Sequence, residues 1–180
     1  MSKYFIGIVP PVDIYNAVSA IQDCFLANKG VEPHITLKAQ SGLTLDELWI
    51  DDLRHVLQTI DSFEVSVRGT AYFGNEVLYI NVYSENLISL HNNIYDVIQP
   101  SLNDKKKYFE SDYFVPHITV GKTSYLSKSS NEKLSLNELH QMEEMVDLKS
   151  FETKFKVDHL WVYKYQDNAY QRYKKISLKT

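Results

Sequence analysis

Pro33-His34-Ile35-Thr36-Leu37-Lys38 and Pro116-His117-Ile118-Thr119-Val120-Gly121-Lys122 decide how the rest of this chain is read. Both run proline, histidine, isoleucine, threonine and then an aliphatic residue. Side chains on a β-strand alternate between its faces, so His34 and Thr36 share one side while Ile35 and Leu37 share the other. His117 and Thr119 are set against Ile118 and Val120 in the same way. The isoleucine faces belong in a core. A histidine–threonine face buried without partners costs free energy, so it should line something polar. Lys38 has the parity to join His34 and Thr36 if its strand continues that far. Lys122 is off parity, and joins only if Gly121 ends or kinks the strand.

Outward from the motifs, the hydrophobic period switches between two and 3.6. Residues 4–9 read as a strand, and Ile14, Val18, Ile21 and Phe25 recur at helical spacing. After the first motif, Thr44-Leu45-Asp46-Glu47 has the capping-box pattern, with Leu45, Leu48, Trp49, Leu53, Val56, Leu57 and Ile60 marking one helix face. Strands follow at 63–68 and 77–83. A helix through Leu87, Leu90 and Ile94 is then ended by Pro100. The polar stretch 101–112 reads as a loop and 113–120 as the strand of the second motif. Residues 123–133 form a loop rich in Ser, Lys and Asn. Ser135-Leu136-Asn137-Glu138 is a second capping box, opening a helix with Leu139, Met142 and Val146 inward. Strands near 155–164 and 170–178 close the chain. The order of elements around the first motif is echoed around the second, which argues for an α+β fold of two related sheets. If an approximate two-fold axis relates them, their polar faces meet in one cleft.

The chain has 180 residues, 44% of them hydrophobic and 13% aromatic, enough to bury a substantial interior. No run of 18 apolar residues is present, so no membrane partner is expected. The N-terminal apolar run ends at Pro10-Pro11 without a small-residue cleavage site, and reads as a buried strand instead of a secretory signal. The lone cysteine, Cys24, cannot form an intramolecular disulfide. It is read as a core thiol, in keeping with a reducing, cytoplasmic location. A net charge of −4 excludes a general RNA-coating protein and suits a nucleotide or an RNA end.

Two histidines and two threonines in a shared cleft point to phosphodiester chemistry. Imidazole exchanges protons near neutral pH. Cleavage needs one proton taken from the attacking oxygen and another given to the leaving oxygen. The threonine hydroxyls suit the non-bridging oxygens, where charge grows in the transition state. A lone His-x-Thr on a strand is common and means little; the matched pair carries the argument. A zinc site would need three or four ligands, and neither motif offers a neighbouring cysteine or acid, so no metal ligands are expected. Phe5, Tyr72 and Trp161 are the candidate platforms for a stacked base, although aromatic residues favour strands anyway. Lys105-Lys106-Lys107 reads as a solvated charge run. His55, His91, His140 and His159 have no matching partners and read as surface or packing residues.

The duplicated motif resembles that of the 2H phosphoesterase superfamily, above all its 2′-5′ RNA ligase and cyclic phosphodiesterase branch. The likeness extends to the opening Tyr4-Phe5-Ile6-Gly7-Ile8-Val9-Pro10-Pro11 and spans nearly the whole chain. His34/Thr36/Leu37 and His117/Thr119/Val120 match the family pattern, with Lys38 and Lys122 where many members carry arginine. The resemblance implies a bilobal α+β fold over residues 1–180, its two pseudo-two-fold-related antiparallel sheets facing across a central cleft with helices outside. It implies catalysis by His34 and His117, phosphate binding by Thr36, Thr119, Lys38 and Lys122, and no cofactor. The implied substrate is a 2′,3′-cyclic phosphate, a 2′-5′-linked or cyclic oligonucleotide, or an RNA end. The chain is expected to act as a monomer without an obligate protein partner. Two other readings stay open: a silent nucleotide-binding module, and an enzyme that degrades a cyclic-oligonucleotide signal.

Overall fold

The computed structural model describes residues 3–149 and 152–179. Among these residues eight strands and five α-helices follow in the order β1 (Tyr4–Ile8), α1 (Val12–Phe25), β2 (Ile35–Lys38), α2 (Trp49–Leu57), β3 (Phe63–Phe73), β4 (Val77–Tyr83), α3 (Glu85–Ile98), α4 (Leu102–Lys107), β5 (His117–Lys122), α5 (Leu136–Lys149), β6 (Glu152–Val157), β7 (His159–Gln166) and β8 (Ala169–Ser177). A 3-10 turn, Ser111–Tyr113, leads into β5. No helix among the described residues is long and apolar enough to cross a membrane.

The strands lie in the order β6-β3-β4-β5-β2-β1-β7-β8, each antiparallel to its neighbours. At the centre, β2 and β5 are joined by one residue pair, Ile35 with Ile118. The two related sheets are therefore halves of one curled sheet, fused where the two motifs touch. Counting outward from that joint, β2 answers to β5, β1 to β4, β7 to β3 and β8 to β6.

Helices cover the convex side in two pairs. α1 packs on α5 and on β5, while α3 packs on α2 and on β2. The helix before each motif thus covers the strand of the other motif. The core between sheet and helices holds Ile6, Ile8, Ile35 and Leu37 from one half, with Leu78, Ile80, Ile118 and Val120 from the other.

Local chemistry sets most boundaries. Phe63, Val65 and Val67 are buried while Glu64 and Arg68 are exposed, the period-two pattern of a half-buried strand. Ser84 accepts the Leu87 N–H at the start of α3, and Gln99, in the left-handed region ahead of Pro100, ends it. The second capping box forms: Ser135 Oγ accepts Glu138 N–H at 3.2 Å and Glu138 Oε2 accepts Ser135 N–H at 2.8 Å.

The first box does not form, and α2 begins only at Trp49. Glu47 has a φ of 60° and spends its carboxylate on the Tyr4 hydroxyl (2.6 Å), Lys174 (2.9 Å) and the Tyr173 hydroxyl (3.0 Å). Charge-assisted partners of that kind outweigh a single backbone N–H. Leu45 and Leu48, expected inward, are 65% and 71% exposed in consequence. The stretch 101–112 is also more regular than a loop, since it carries α4 and most of the 3-10 turn. Cys24 is exposed, not in the core. α1 turns Ile14, Val18, Ile21 and Gln22 inward, and successive residues advance by about 100°, which carries Cys24 off that stripe.

Ile118 is fully buried at the joint between the halves. Ile118→Ala should lower the unfolding free energy by about 2–5 kcal/mol. Urea denaturation measures it, and a loss below roughly 1 kcal/mol, the scale of a conservative trim, would mean that the central pair does not hold the halves together.

Candidate active site

The register at the joint positions the site. Ile35 faces Ile118, so continuing the antiparallel pairing sets His34 across from Thr119 and Thr36 across from His117. Both isoleucines are buried on the convex side, which turns all four polar residues to the concave side. The two histidines are diagonal neighbours, a relation that puts residues about 7–8 Å apart and their Cβ atoms somewhat closer.

A bulge follows each threonine. In the first half Ile8 pairs with Ile35, Gly7 with Thr36 and Ile6 with Lys38, leaving Leu37 as the extra residue. In the second, Ile80 pairs with Ile118, Tyr79 with Thr119, Leu78 with Gly121 and Val77 with Lys122, leaving Val120 extra. An extra residue resets the alternation of faces. Lys122 therefore rejoins the face of Thr119, in the cleft. Lys38 instead joins Ile6 on the core side, so its expected role as a phosphate ligand is corrected. It is fully buried, and its ammonium donates to Glu110 Oε1 (2.5 Å), Ser41 Oγ (2.7 Å) and the carbonyls of Ser41 (2.5 Å) and Ala39 (3.0 Å). Removing one member of such a buried pair would strand the other charge. The counterpart of Lys38 in the second half is Gly121, where a Cβ would come within 2.9 Å of Leu139 and of Met142 on α5.

The two imidazoles are held alike. His34 Nδ1 lies 2.7 Å from the Glu32 carbonyl, and His117 Nδ1 lies 2.7 Å from the Val115 carbonyl. A carbonyl only accepts, so Nδ1 carries the proton in both rings and Nε2 is left unprotonated. His34 Nε2 is 3.1 Å from Thr36 Oγ1. Each ring is backed by a stacked aromatic pair from the two strands beyond it. Phe5 and Tyr163 stack at 4.3 Å beside His34, and Phe73 and Tyr79 stack at 4.2 Å beside His117. Phe5 is 4.8 Å from the His34 ring, and Phe73 is 5.0 Å from that of His117. Burial, aided by the charges of His117 and Lys122, holds the His34 pKa down to about 4. Burial and Lys122 also lower that of His117. Burial lowers the Lys122 ammonium as well.

A cavity of about 930 Å³ opens beside His117 and includes Thr36 and Lys122 in its lining. Its walls are the β3–β4 hairpin, with Tyr72 and Phe73, and the segment carrying Phe109, Tyr113 and Phe114. His34 and Thr119 do not line it. Of the three stacking candidates, Tyr72 lines the cavity, with its hydroxyl donating to Glu143 Oε2 at 2.8 Å. Phe5 is buried as a support for His34 and offers no open face, which corrects that expectation. Trp161 stands two strands from the motif, pairs with Gly7, and carries the Arg172 guanidinium at 5.4 Å over its ring; it is not part of the cavity.

The sequence reading missed Phe109 and Tyr113, and it read His91 as a surface or packing residue with no part in the site. His91 is buried, stacks on Phe114 at 3.9 Å and lines the cavity. Its position on the apolar stripe of α3, between Leu87 and Ile94, was the available signal. Among the described residues no group of three or more His, Cys, Asp or Glu is placed to hold a metal ion.

A family model described as the 2′-5′ RNA ligase superfamily matches residues 10–169. The fold is similar to that of TT0787 of Thermus thermophilus, with a TM-score of 0.65 and 18% identity over 98% of both chains. It is also similar to E. coli LigT complexed with 3′-AMP, with a TM-score of 0.60 and 13% identity over 99% of this chain and 98% of that one. No curated protein matches the sequence.

An imidazole whose pKa is depressed by folding is protonated first in the unfolded chain. From pH 6.5 down to about 4 the unfolded state therefore binds the proton that folded His34 refuses. Stability should fall as pH falls through that window. The urea midpoint is expected to be lower at pH 5 than at pH 7, and His34→Gln should make the decline shallower. Equal decline in both proteins would show that His34 is not desolvated.

Proposed function

The chain belongs to the 2′-5′ RNA ligase superfamily, and on that premise we propose that it is a metal-independent phosphodiesterase working with two histidines. Its substrate is a 2′,3′-cyclic phosphate or a 2′-5′-linked or cyclic oligonucleotide. The observation that carries this reading is the central Ile35–Ile118 pair. It turns two imidazoles of the same tautomer to one face, together with two threonine hydroxyls and one ammonium. The 3′-AMP bound by LigT is a nucleoside monophosphate, the class of product that opening a 2′,3′-cyclic phosphate leaves.

On a 2′,3′-cyclic phosphate the reaction runs through two proton transfers. A water oxygen attacks phosphorus and gives its proton to the neutral Nε2 of one histidine. The ribose P–O bond opposite breaks, and the leaving oxygen takes the proton from Nε2 of the other, yielding a nucleoside monophosphate with a free hydroxyl. Thr36, Thr119 and Lys122 face the non-bridging oxygens, where negative charge accumulates. The site is asymmetric enough to separate the roles. The nucleoside fits the cavity on the His117 side, so the leaving ribose oxygen lies by His117, which acts as the acid. His34, held neutral by its burial, receives the proton of the water. Binding a phosphate anion favours the imidazolium form of His117.

Turnover of cyclic nucleotides and 2′-5′ oligoadenylates in EDTA, followed by mass spectrometry, tests the activity. His34→Ala and His117→Ala should each lose about 10²–10⁴-fold in kcat. Loss of wild-type turnover on chelation would favour a metal enzyme instead.

The roles separate with a cyclic phosphate whose leaving oxygen is replaced by sulfur, because a thiolate departs without a proton. His117→Ala should recover most of its rate on that substrate while His34→Ala stays slow. The reverse pattern would exchange the acid and the base.

A further inference from the structure

The bulges after the two threonines leave the carbonyls of Leu37 and Val120 to side chains from the convex face. Gln22, on α1 and 5% exposed, donates from Nε2 to Val120 O at 3.2 Å and to Thr119 O at 3.4 Å. His91, on α3 and 1% exposed, donates from Nδ1 to Leu37 O at 2.6 Å. Its Nε2 accepts the Ser111 N–H at 2.7 Å, which ties the same strand to the cavity wall. Leu37 and Val120 are corresponding residues of the two halves, and each is held by the helix that crosses over from the other motif's side.

Packing alone does not account for these two polar groups. Gln22 sits on the buried stripe of α1 with Ile14, Val18 and Ile21, where a leucine would fill the same space. Its Oε1 is buried and meets no donor among the described residues, a cost that a leucine avoids. What the amide and the imidazole supply is a fixed direction for one carbonyl at each bulge. That direction sets how the strand leaves its threonine. In β5 it sends Lys122 into the cleft, and in β2 it sends Lys38 to Glu110.

We propose that Gln22 and His91 are positioning residues that act through the two bulges, Gln22 on His117, Thr119 and Lys122, and His91 on His34 and Thr36. The consequence for turnover rests on the phosphodiesterase reading above; the geometric claim does not. Each bonded carbonyl, Leu37 O or Val120 O, lies three residues beyond the imidazole of its strand, so losing its donor disturbs that imidazole more than the other.

Three variants test the idea: Gln22→Leu, which removes the donor and keeps the volume; His91→Phe, which keeps the stacking on Phe114 and removes both hydrogen bonds; and His91→Gln, which offers a donor and an acceptor again. On the best nucleotide of the substrate panel, Gln22→Leu and His91→Phe should lose roughly 10- to 100-fold in kcat, with far smaller changes in KM. Gln22→Leu should keep its urea midpoint, and His91→Gln should recover much of the rate lost in His91→Phe. Proton NMR titration supplies a readout independent of turnover. Gln22→Leu should displace the His117 titration curve more than that of His34, and the His91 variants the reverse. Unchanged kcat in folded Gln22→Leu and His91→Phe, or equal displacement of both imidazoles in every variant, would overturn the proposal. A wild type that turns over no substrate would sink the phosphodiesterase reading, while the titrations would still decide the role of the caps.

Discussion

One backbone pairing, between Ile35 and Ile118, is the constraint from which the site follows. Among the described residues it is the only pair joining β2 to β5, and through it two four-stranded halves become one sheet. Both isoleucines are fully buried, which fixes the register as well as the contact. A slip of one residue would turn the isoleucines to the cleft and the histidines into the core, so the apolar side chains specify the polar arrangement. The same residues that give the core its centre thus turn the two imidazoles to one face of the sheet.

The two halves share a backbone plan and differ in what they place on it. Each has a bulge directly after its threonine, so each loses the simple alternation at the same point. The lysines are offset by one residue relative to that plan. Lys122 falls where the bulge turns a side chain to the cleft, and its counterpart in the first half is Ala39. Lys38 falls where the bulge turns a side chain inward, and its counterpart is Gly121. The result is a cleft with one ammonium and a core with one buried ion pair. Aromatic support is symmetric, but open space is not. Phe5 and Tyr163 fill the surroundings of His34, whereas a cavity opens next to His117. That difference in solvation makes two chemically identical histidines unequal.

Away from the cleft, acidic residues neutralise much of the positive charge of β7 and β8. Glu32 accepts the hydroxyls of Tyr15 and Tyr163 and both arms of Arg172, while its carbonyl orients His34. Those partners hold the Glu32 carboxyl below its usual range against the opposing effect of its burial. Glu47 does the same for Lys164 and Lys174, and the Tyr4 hydroxyl first among its partners brings its pKa to about 2. Among the described residues, the cation that faces the motifs is Lys122, which agrees with a ligand that presents one phosphate to the histidines instead of a long polyanionic strand.

By itself the sequence determined the faces of both motifs, the echo between the halves, the α+β class and the second capping box. Each of these is a matter of local spacing: alternation through residues 33–37, a 3.6 period through Ile14, Val18 and Ile21, a serine three residues before a glutamate. Only the tertiary structure decided the fate of Lys38 and Lys122, the late start of α2 and the partners of Gln22 and His91. A bulge is a mismatch between two strands, so the parity beyond Thr36 and Thr119 could not be counted along either strand alone. Glu47 left its capping position for tyrosines and a lysine more than 40 and 120 residues away in the chain, partners that no local window contains. Local chemistry chose which side chains could do the work, and the pairing of distant strands chose which of them reach the cleft.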